Sequence, residues 1–191
     1  MQNILDMTLE DFLLEIDHLS MHFKEFSEQL FQYDYQDFND YLKLDEIQVP
    51  NNTYIRLPIY KGKFVAFLML WGRDNRTAIH DHKNYEGMIK VLKGSLCEIS
   101  YCEKEDFIQY DSESIAHEGA VFPEDYGGIH SVVNKSKDIS VSLHLYNTQQ
   151  ADLEGIRLFD LQQRKIAILS DKATSCAWNL PKEAYQFVIR V

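Results

Sequence analysis

The stretch TAIHDHKNYEGMIKVLKG, which runs from Thr77 to Gly94, places two histidines around one aspartate and then continues as an apolar strand. Side chains alternate between the two faces of an extended segment, so His80 and His82 point the same way and can bind one ion. Imidazole is a ligand for iron, zinc, copper and nickel. The stretch therefore predicts part of a metal site, with Asp81 directed away from the ion. A His-x-His in an ordinary loop is the alternative.

Two later stretches carry further polar side chains on predicted strands. GGIHSVVN contains His130, and ISVSLHLYN places Ser142, His144 and Tyr146 on one face of a strand whose other face is apolar. On an exposed sheet this polar face would lie in water. In a small barrel it can instead line an interior pocket as a hydrogen-bonded row. The two stretches favour the metal-site interpretation over an ordinary loop.

Short strands separated by glycines and polar clusters dominate the chain after Pro50, whereas residues 1–49 show helical spacing of apolar residues behind Thr8, a good N-cap. We therefore predict a mainly β protein, with an antiparallel barrel or sandwich at residues 50–191 behind the helical segment at 1–49. The predicted strands are Tyr54–Tyr60, Phe64–Trp71, Gly87–Leu92, Ser95–Tyr101, Glu118–Phe122, Ile129–Asn134, Ile139–Tyr146, Ile156–Leu161 and Lys165–Ser170.

Length and composition narrow the function classes. A chain of 191 residues predicts a single domain over 1–191. The formal charge of -11 argues against a nucleic-acid surface. The first 50 residues hold twelve acids against two lysines, which indicates solvated helix faces or a docking surface for a basic partner. No apolar run approaches the roughly 18–20 residues of a membrane span, and the start lacks the features of a signal peptide, so we expect a soluble, cytoplasmic protein.

The cysteines indicate neither a disulfide framework nor a zinc site. Cys97, Cys102 and Cys176 are odd in number and irregular in spacing, without a Cys-x-x-Cys pair. We interpret them as core or surface thiols.

The first motif resembles that of the cupin superfamily, which has a glycine, His-x-His, a spacer, a glutamate, six residues and a glycine. His80, His82 and Gly94 fit this form, and Gly87 stands where the glutamate would be.

The second cupin motif has a proline, a glycine, a histidine and an asparagine. Pro123, Gly127, His130 and Asn134 match it in order, with a longer loop between the proline and the glycine. Together the two motifs imply a small antiparallel cupin (jelly-roll) β-barrel. Three neutral histidines without a carboxylate would leave a divalent metal its full charge and open positions for an anionic ligand, such as a thiolate. Ligand chemistry permits iron, zinc or a purely structural metal here.

The resemblance extends to the type I cysteine dioxygenases. The stretches YIR, FVAFLMLWG, IHDH, KVLKGSLCE, GIHSVVN and VSLHLY match that family in order between Tyr54 and Tyr146. The resemblance implies Fe(II) as cofactor, L-cysteine and dioxygen as substrates, and L-cysteine sulfinate as product. The implied metal ligands are His80, His82 and His130. The implied substrate-binding residues are Arg56, Tyr54 and Tyr146. Ser142 and His144 support Tyr146, and Trp71, Met69 and Gly87 line the pocket.

These roles fit the chemistry of the side chains. The planar guanidinium of Arg56 can hold a carboxylate with two hydrogen bonds, which would select a free amino acid over a peptide. The Tyr146 hydroxyl can donate to bound oxygen or to the substrate carboxylate. Some family members carry a cysteine that cross-links to this tyrosine. Gly87 occupies that position here, as in bacterial-type relatives, so the cross-link cannot form.

Three other functions stay open. One is 3-mercaptopropionate dioxygenase, a similar fold and metal site that commonly has glutamine instead of the arginine, so that Arg56 favours cysteine. Another is an unrelated cupin enzyme, such as an isomerase, with another metal. The third is a non-catalytic metal-binding cupin that senses thiols or docks a partner through the acidic segment. We expect a monomer with no nucleic-acid or membrane partner.

Overall fold

The computed structural model describes residues 7–82, 85–124 and 127–191, and its helices lie at the N-terminal end. Thr8 caps the first helix, because its side chain accepts a hydrogen bond from the Asp11 amide, as predicted.

None of the described helices is long and apolar enough to cross a membrane. The helices are α1 (Leu9–Glu15), α2 (Phe23–Leu30) and α3 (Tyr35–Leu42), with single 3-10 turns at Ile16–His18, Leu44–Glu46 and Lys182–Ala184.

Within the described residues, twelve strands follow and form two antiparallel sheets. The first sheet has the order β1-β2-β9-β4-β7, and the second has the order β12-β11-β10-β3-β8-β5-β6. The strands are β1 (Tyr54–Lys61), β2 (Val65–Trp71), β3 (Ile79–Asp81), β4 (Gly87–Lys93), β5 (Ser95–Glu103), β6 (Ile108–His117), β7 (Val121–Glu124), β8 (Ile129–Val133), β9 (Ser140–Tyr146), β10 (Arg157–Asp160), β11 (Lys165–Leu169) and β12 (Tyr185–Arg190).

Strand β2 of the first sheet is apolar on both of its faces. All seven of its residues, VAFLMLW, are buried. Leu68 and Leu70 pack into a core cluster with the N-terminal helices. Phe67 and Trp71 point the other way and pack with Leu96 of the second sheet. Strand β2 thus lies between a helical layer and a second sheet, and its apolar side chains pack against both.

Strand β9 has one apolar face and one polar face. Leu143 and Leu145 pack in the cluster formed with the helices. Ser142 and His144 lie on the opposite face and are also buried. The polar face of β9 is therefore interior, as the barrel interpretation requires.

The prediction of a mainly β, antiparallel fold behind a helical N-terminal segment is confirmed. The predicted hairpin of β1 and β2 forms, with Arg56 opposite Met69. Strands β3, β6 and β12 were not among the predicted strands, and β7 begins at Val121 rather than at Glu118. Strand β6 lies at a sheet edge and is mostly exposed, so its sequence lacks the alternation that marks a half-buried strand.

The helical layer should contribute strongly to stability through Phe26. This residue is fully buried, and its ring lies 5.1 Å from that of Phe64 and 5.5 Å from that of Tyr60. We expect Phe26→Ala to lower the free energy of unfolding by about 3–5 kcal/mol, measured by urea denaturation, because the cavity at this site cannot collapse fully.

The matched control for this prediction is Leu14→Ala, since Leu14 lies in α1 with 69% of its surface exposed. It should change stability by no more than about 0.5 kcal/mol. Equal effects of the two substitutions would contradict the packing of α2 on the first sheet.

Candidate metal centre

Strand pairing brings the His-x-His segment and His130 together. His80 lies directly opposite His130 where β3 pairs with β8, and His82 follows the end of β3. One nitrogen from each of the three buried rings lies within 4.8 Å of the others. The Nε2 atoms of His82 and His130 are 3.1 Å apart. The structure thus places the three predicted ligands in one cluster.

Asp81 points away from this cluster, as expected of the residue between them. Its Oδ1 accepts a hydrogen bond of 2.8 Å from the Arg157 amide, and its Oδ2 pairs with the Arg157 guanidinium. Strand β3 is thereby fixed to β10 on one side while it pairs with β8 on the other.

Hydrogen bonds orient two of the three imidazole rings. His80 Nδ1 donates to the Ala78 carbonyl at 2.9 Å, and His130 Nδ1 donates to Glu98 Oε1 at 2.7 Å. Since a carbonyl and a carboxylate only accept, the Nε2 atoms of both rings keep their lone pairs for an ion. Burial also lowers the pKa of His80 and keeps that ring neutral.

A buried carboxylate lies beside the three-histidine cluster. Glu124 at the end of β7 is 8% exposed. Its Oε1 lies 3.0 Å from His82 Nδ1 and 3.6 Å from His130 Nε2. Burial raises the pKa of Glu124, but the facing His82 and His130 outweigh that effect and hold the pKa below its usual range. Motif reasoning missed Glu124, because this residue occupies no position of either motif.

The predicted row on β9 forms a continuous chain of hydrogen bonds. Trp71 Nε1 donates to Ser142 Oγ at 2.8 Å, Ser142 Oγ lies 2.8 Å from His144 Nε2, and His144 Nδ1 lies 3.1 Å from the Tyr146 hydroxyl. An indole only donates, so Ser142 is free to donate to Nε2 and His144 Nδ1 to donate to Tyr146. The Tyr146 proton is then available to a ligand in the cavity. Burial lowers the pKa of His144 to about 4 and keeps the ring neutral.

Arg56 and Tyr54 reach the same cavity from β1. The Arg56 guanidinium lies 4.2 Å from the centre of the Phe67 ring and donates to the Ala151 carbonyl at 3.4 Å. Among the described residues no carboxylate forms an ion pair with it. The Tyr54 hydroxyl accepts a 2.6 Å hydrogen bond from the Cys176 amide. Arg56 is therefore open to an anionic ligand, whereas Tyr54 is engaged with the backbone.

The cavity joins these groups to the three histidines. Met69 and Trp71 line it, whereas Gly87 is not among its lining residues. A Cβ atom at position 87 would lie 3.0 Å from Glu124 and Tyr146, which both line the cavity. Motif reasoning missed several lining residues, and some of these come from loops and from the C-terminal part, such as Tyr85, Gln150, Asp152 and Cys176. Burial raises the pKa of the Cys176 thiol to about 12, so it stays protonated.

A second cavity of about 310 Å³ reaches His130 and His144 from another side. Its walls are mainly apolar and include Leu96, Ala116 and Phe122. The three-histidine cluster is thus approached by one cavity that contains Arg56 and by a second cavity that does not.

The donor set fits a divalent transition metal. When Nε2 of His82 and Nε2 of His130 both present lone pairs at 3.1 Å, they repel each other, and a shared cation removes that repulsion. His82 Nδ1 and Glu124 Oε2 are buried and have no hydrogen-bond partner among the described residues, which is typical of a site that needs a positive charge.

Comparisons with known proteins show which family this chain resembles. The family model for cysteine dioxygenase type I matches residues 20–161. Cysteine dioxygenase type 1 of Homo sapiens is 31% identical over 112 residues, which are 56% of this chain and 54% of the relative. That of Danio rerio is 28% identical over 131 residues, 65% of this chain and 62% of the relative. The chain thus spans between half and two thirds of the length of these relatives. A solved structure of oxalate oxidase in complex with the substrate analogue glycolate aligns at a TM-score of 0.48 and 16% identity, over 70% of this chain and 66% of that one.

We expect His82→Ala to abolish stoichiometric binding of a divalent metal, because two imidazoles alone hold the ion much more weakly. The measurement is metal content by mass spectrometry after loading and desalting. His22→Ala is the control, since His22 is exposed on the N-terminal segment and should leave metal content unchanged. Full metal content in the His82 variant would contradict the site.

Proposed function

The chain belongs to the cysteine dioxygenase type I family, and we propose that it is an iron-dependent thiol dioxygenase that converts L-cysteine and dioxygen to L-cysteine sulfinate. The observation that carries the proposal is the cavity that joins the three-histidine cluster to Arg56. A metal at one end and a guanidinium at the other suit a small molecule with a thiol and a carboxylate.

Arg56 would bind the substrate carboxylate. Its guanidinium has no carboxylate partner among the described side chains and lies against Phe67, so its position is held by a ring rather than by a competing anion. Two parallel hydrogen bonds from a guanidinium fix the direction of a carboxylate. The thiol and the amine of cysteine would then face His80, His82 and His130.

Ferrous iron bound by the three histidines would supply the redox chemistry between dioxygen and a thiolate. The thiol and dioxygen combine as R–SH + O2 → R–SO2H, in which sulfur loses four electrons and both oxygen atoms stay on sulfur, so no other reductant is required. Around the reacting atoms, Tyr146 would donate its proton to an oxygen. The neutral His144 and Ser142 hold the phenol oxygen in place.

Dioxygen would enter through the mainly apolar cavity that ends at His130 and His144. Apolar cavities in proteins accept small apolar ligands such as xenon, and dioxygen has the same character. With cysteine in the cavity that contains Arg56, this second cavity would still lead to the centre.

The direct test is oxygen uptake by the ferrous-loaded protein with L-cysteine and, separately, with 3-mercaptopropionate. Under labelled dioxygen, mass spectrometry should find cysteine sulfinate with two labelled oxygen atoms, and cysteine should be the better substrate. Preference for 3-mercaptopropionate would support a thiol dioxygenase but refute L-cysteine as its substrate. Bound iron without uptake of oxygen would refute the dioxygenase and favour a thiol sensor.

We expect Arg56→Ala to raise the KM for cysteine by about 10- to 150-fold with iron content unchanged, because hydrogen bonds to charged groups contribute about 1.5–3 kcal/mol. The KM of Arg56→Lys should lie between those of Arg56→Ala and the wild type, since lysine keeps the charge but lacks the planar guanidinium. Steady-state oxygen uptake gives these constants.

The control for this substitution is Arg190→Ala, because Arg190 is exposed on β12. It should leave the KM unchanged. Unaltered saturation by cysteine in Arg56→Ala would show that another group binds the carboxylate.

A further inference from the structure

We propose that Glu124 is a positioning residue of the metal centre. Its carboxylate holds His82 through Nδ1 and places a negative charge beside the ion, in the space that glycine at position 87 leaves open. The proposal rests on the metal site of the proposed function, but not on any reaction of a thiol.

The first argument is the pattern of ring nitrogens. His80 Nδ1 donates to a carbonyl and His130 Nδ1 to Glu98. His82 Nδ1 makes no hydrogen bond among the described residues, but a carboxylate acceptor, Glu124 Oε1, lies 3.0 Å from it. Histidines that bind metals usually donate their other N–H to a carboxylate or a carbonyl, which fixes the tautomer and the direction of the ring. With Glu124 in this role, all three rings direct Nε2 to the ion.

The second argument is the cost of burying Glu124. A buried carboxylate is unfavourable unless hydrogen bonds or an opposite charge compensate it. Glu124 is 8% exposed, and its Oε2 has no hydrogen-bond partner among the described residues. The metal that the adjacent histidines would bind is a positive charge that can face this carboxylate. The ion therefore compensates the carboxylate, and the carboxylate strengthens binding of the ion.

The third argument is the register of β4 with β7. Gly87 lies directly opposite Glu124. A Cβ atom at position 87 would lie 3.0 Å from Glu124 Oε2 and 3.0 Å from two ring carbons of Tyr146. A side chain on β4 and the carboxylate from β7 therefore compete for one space. In this chain the first motif has no glutamate, and the neighbouring strand provides a carboxylate at the same place.

The carboxylate acts next to the ligand cluster rather than within it. The candidate ligand atoms that lie within 4.8 Å of one another belong to His80, His82 and His130. Among the described residues, the Glu124 carboxylate is not part of this group. We therefore assign three ligand nitrogens and one carboxylate that acts through His82 and through its charge.

The experiment measures Co(II) binding and the thermal midpoint of the metal-free protein for Glu124→Gln and Glu124→Ala. Loss of the carboxylate should raise the Kd for Co(II) by about 10- to 100-fold in Glu124→Ala, the range found for partners of ligand histidines. Glu124→Gln keeps an acceptor for His82 but no charge, so its Kd should lie between those of the alanine variant and the wild type.

Without metal, the loss of the carboxylate charge should not lower the thermal midpoint, although it weakens Co(II) binding. Because Glu124→Gln removes a buried charge whose Oε2 makes no hydrogen bond among the described residues, the thermal midpoint without metal should be unchanged or higher than that of the wild type. Glu118→Gln is the control, since Glu118 is exposed in the turn before β7 and should change neither quantity.

Two results would overturn the proposal. An unchanged Kd with a lower midpoint in both variants would make Glu124 a structural residue of β7. A change in the pattern of visible Co(II) bands between the wild type and Glu124→Gln would place the carboxylate on the ion itself. Because Co(II) binding needs no thiol or dioxygen, these results stand even where the proposed oxidation of cysteine fails.

Discussion

The register between β3 and β8 is the constraint on which the candidate metal centre depends. His80 lies opposite His130 in this pair, and a slip of one residue would turn one of the two side chains to the other face of the sheet. Strand β3 has only three residues, so its own hydrogen bonds fix it weakly. Asp81 adds two contacts to Arg157 and so fixes the strand to β10. The aspartate between the two histidines thus helps to hold them in place.

The helical layer permits the polar interior. The first sheet packs its leucine face on α1, α2 and α3, so the opposite face can carry Ser142, His144 and Tyr146 without loss of the core. The same packing explains why the acidic N-terminal segment is amphipathic, with its apolar residues on the sheet and its acids outward. The fold therefore separates stability, which the helices and the leucines provide, from chemistry, which lies between the sheets.

Local patterns in the sequence predicted much of this arrangement. The resemblance to the type I cysteine dioxygenases is confirmed by the family match, and the alternation on β9 predicted its polar row. Strand β6 was not predicted because it is exposed and lacks a regular apolar pattern. Strand β12 is also exposed at a sheet edge, although Tyr185, Phe187 and Ile189 alternate along it. Glu124 escaped prediction for a different reason. Its relation to Gly87 arises from pairing between β4 and β7, and no spacing along the chain encodes which residue of a neighbouring strand lies opposite.

The account stands on one metal ion shared by His80, His82 and His130. The most direct measurement is anomalous diffraction at the iron absorption edge from crystals of the ferrous-loaded protein, grown and frozen without oxygen. The account predicts one strong peak about 2.0–2.2 Å from the Nε2 atoms of all three histidines, with Glu124 beside it but outside bonding distance. A peak elsewhere, or a peak bonded to fewer than three of these rings, would contradict it.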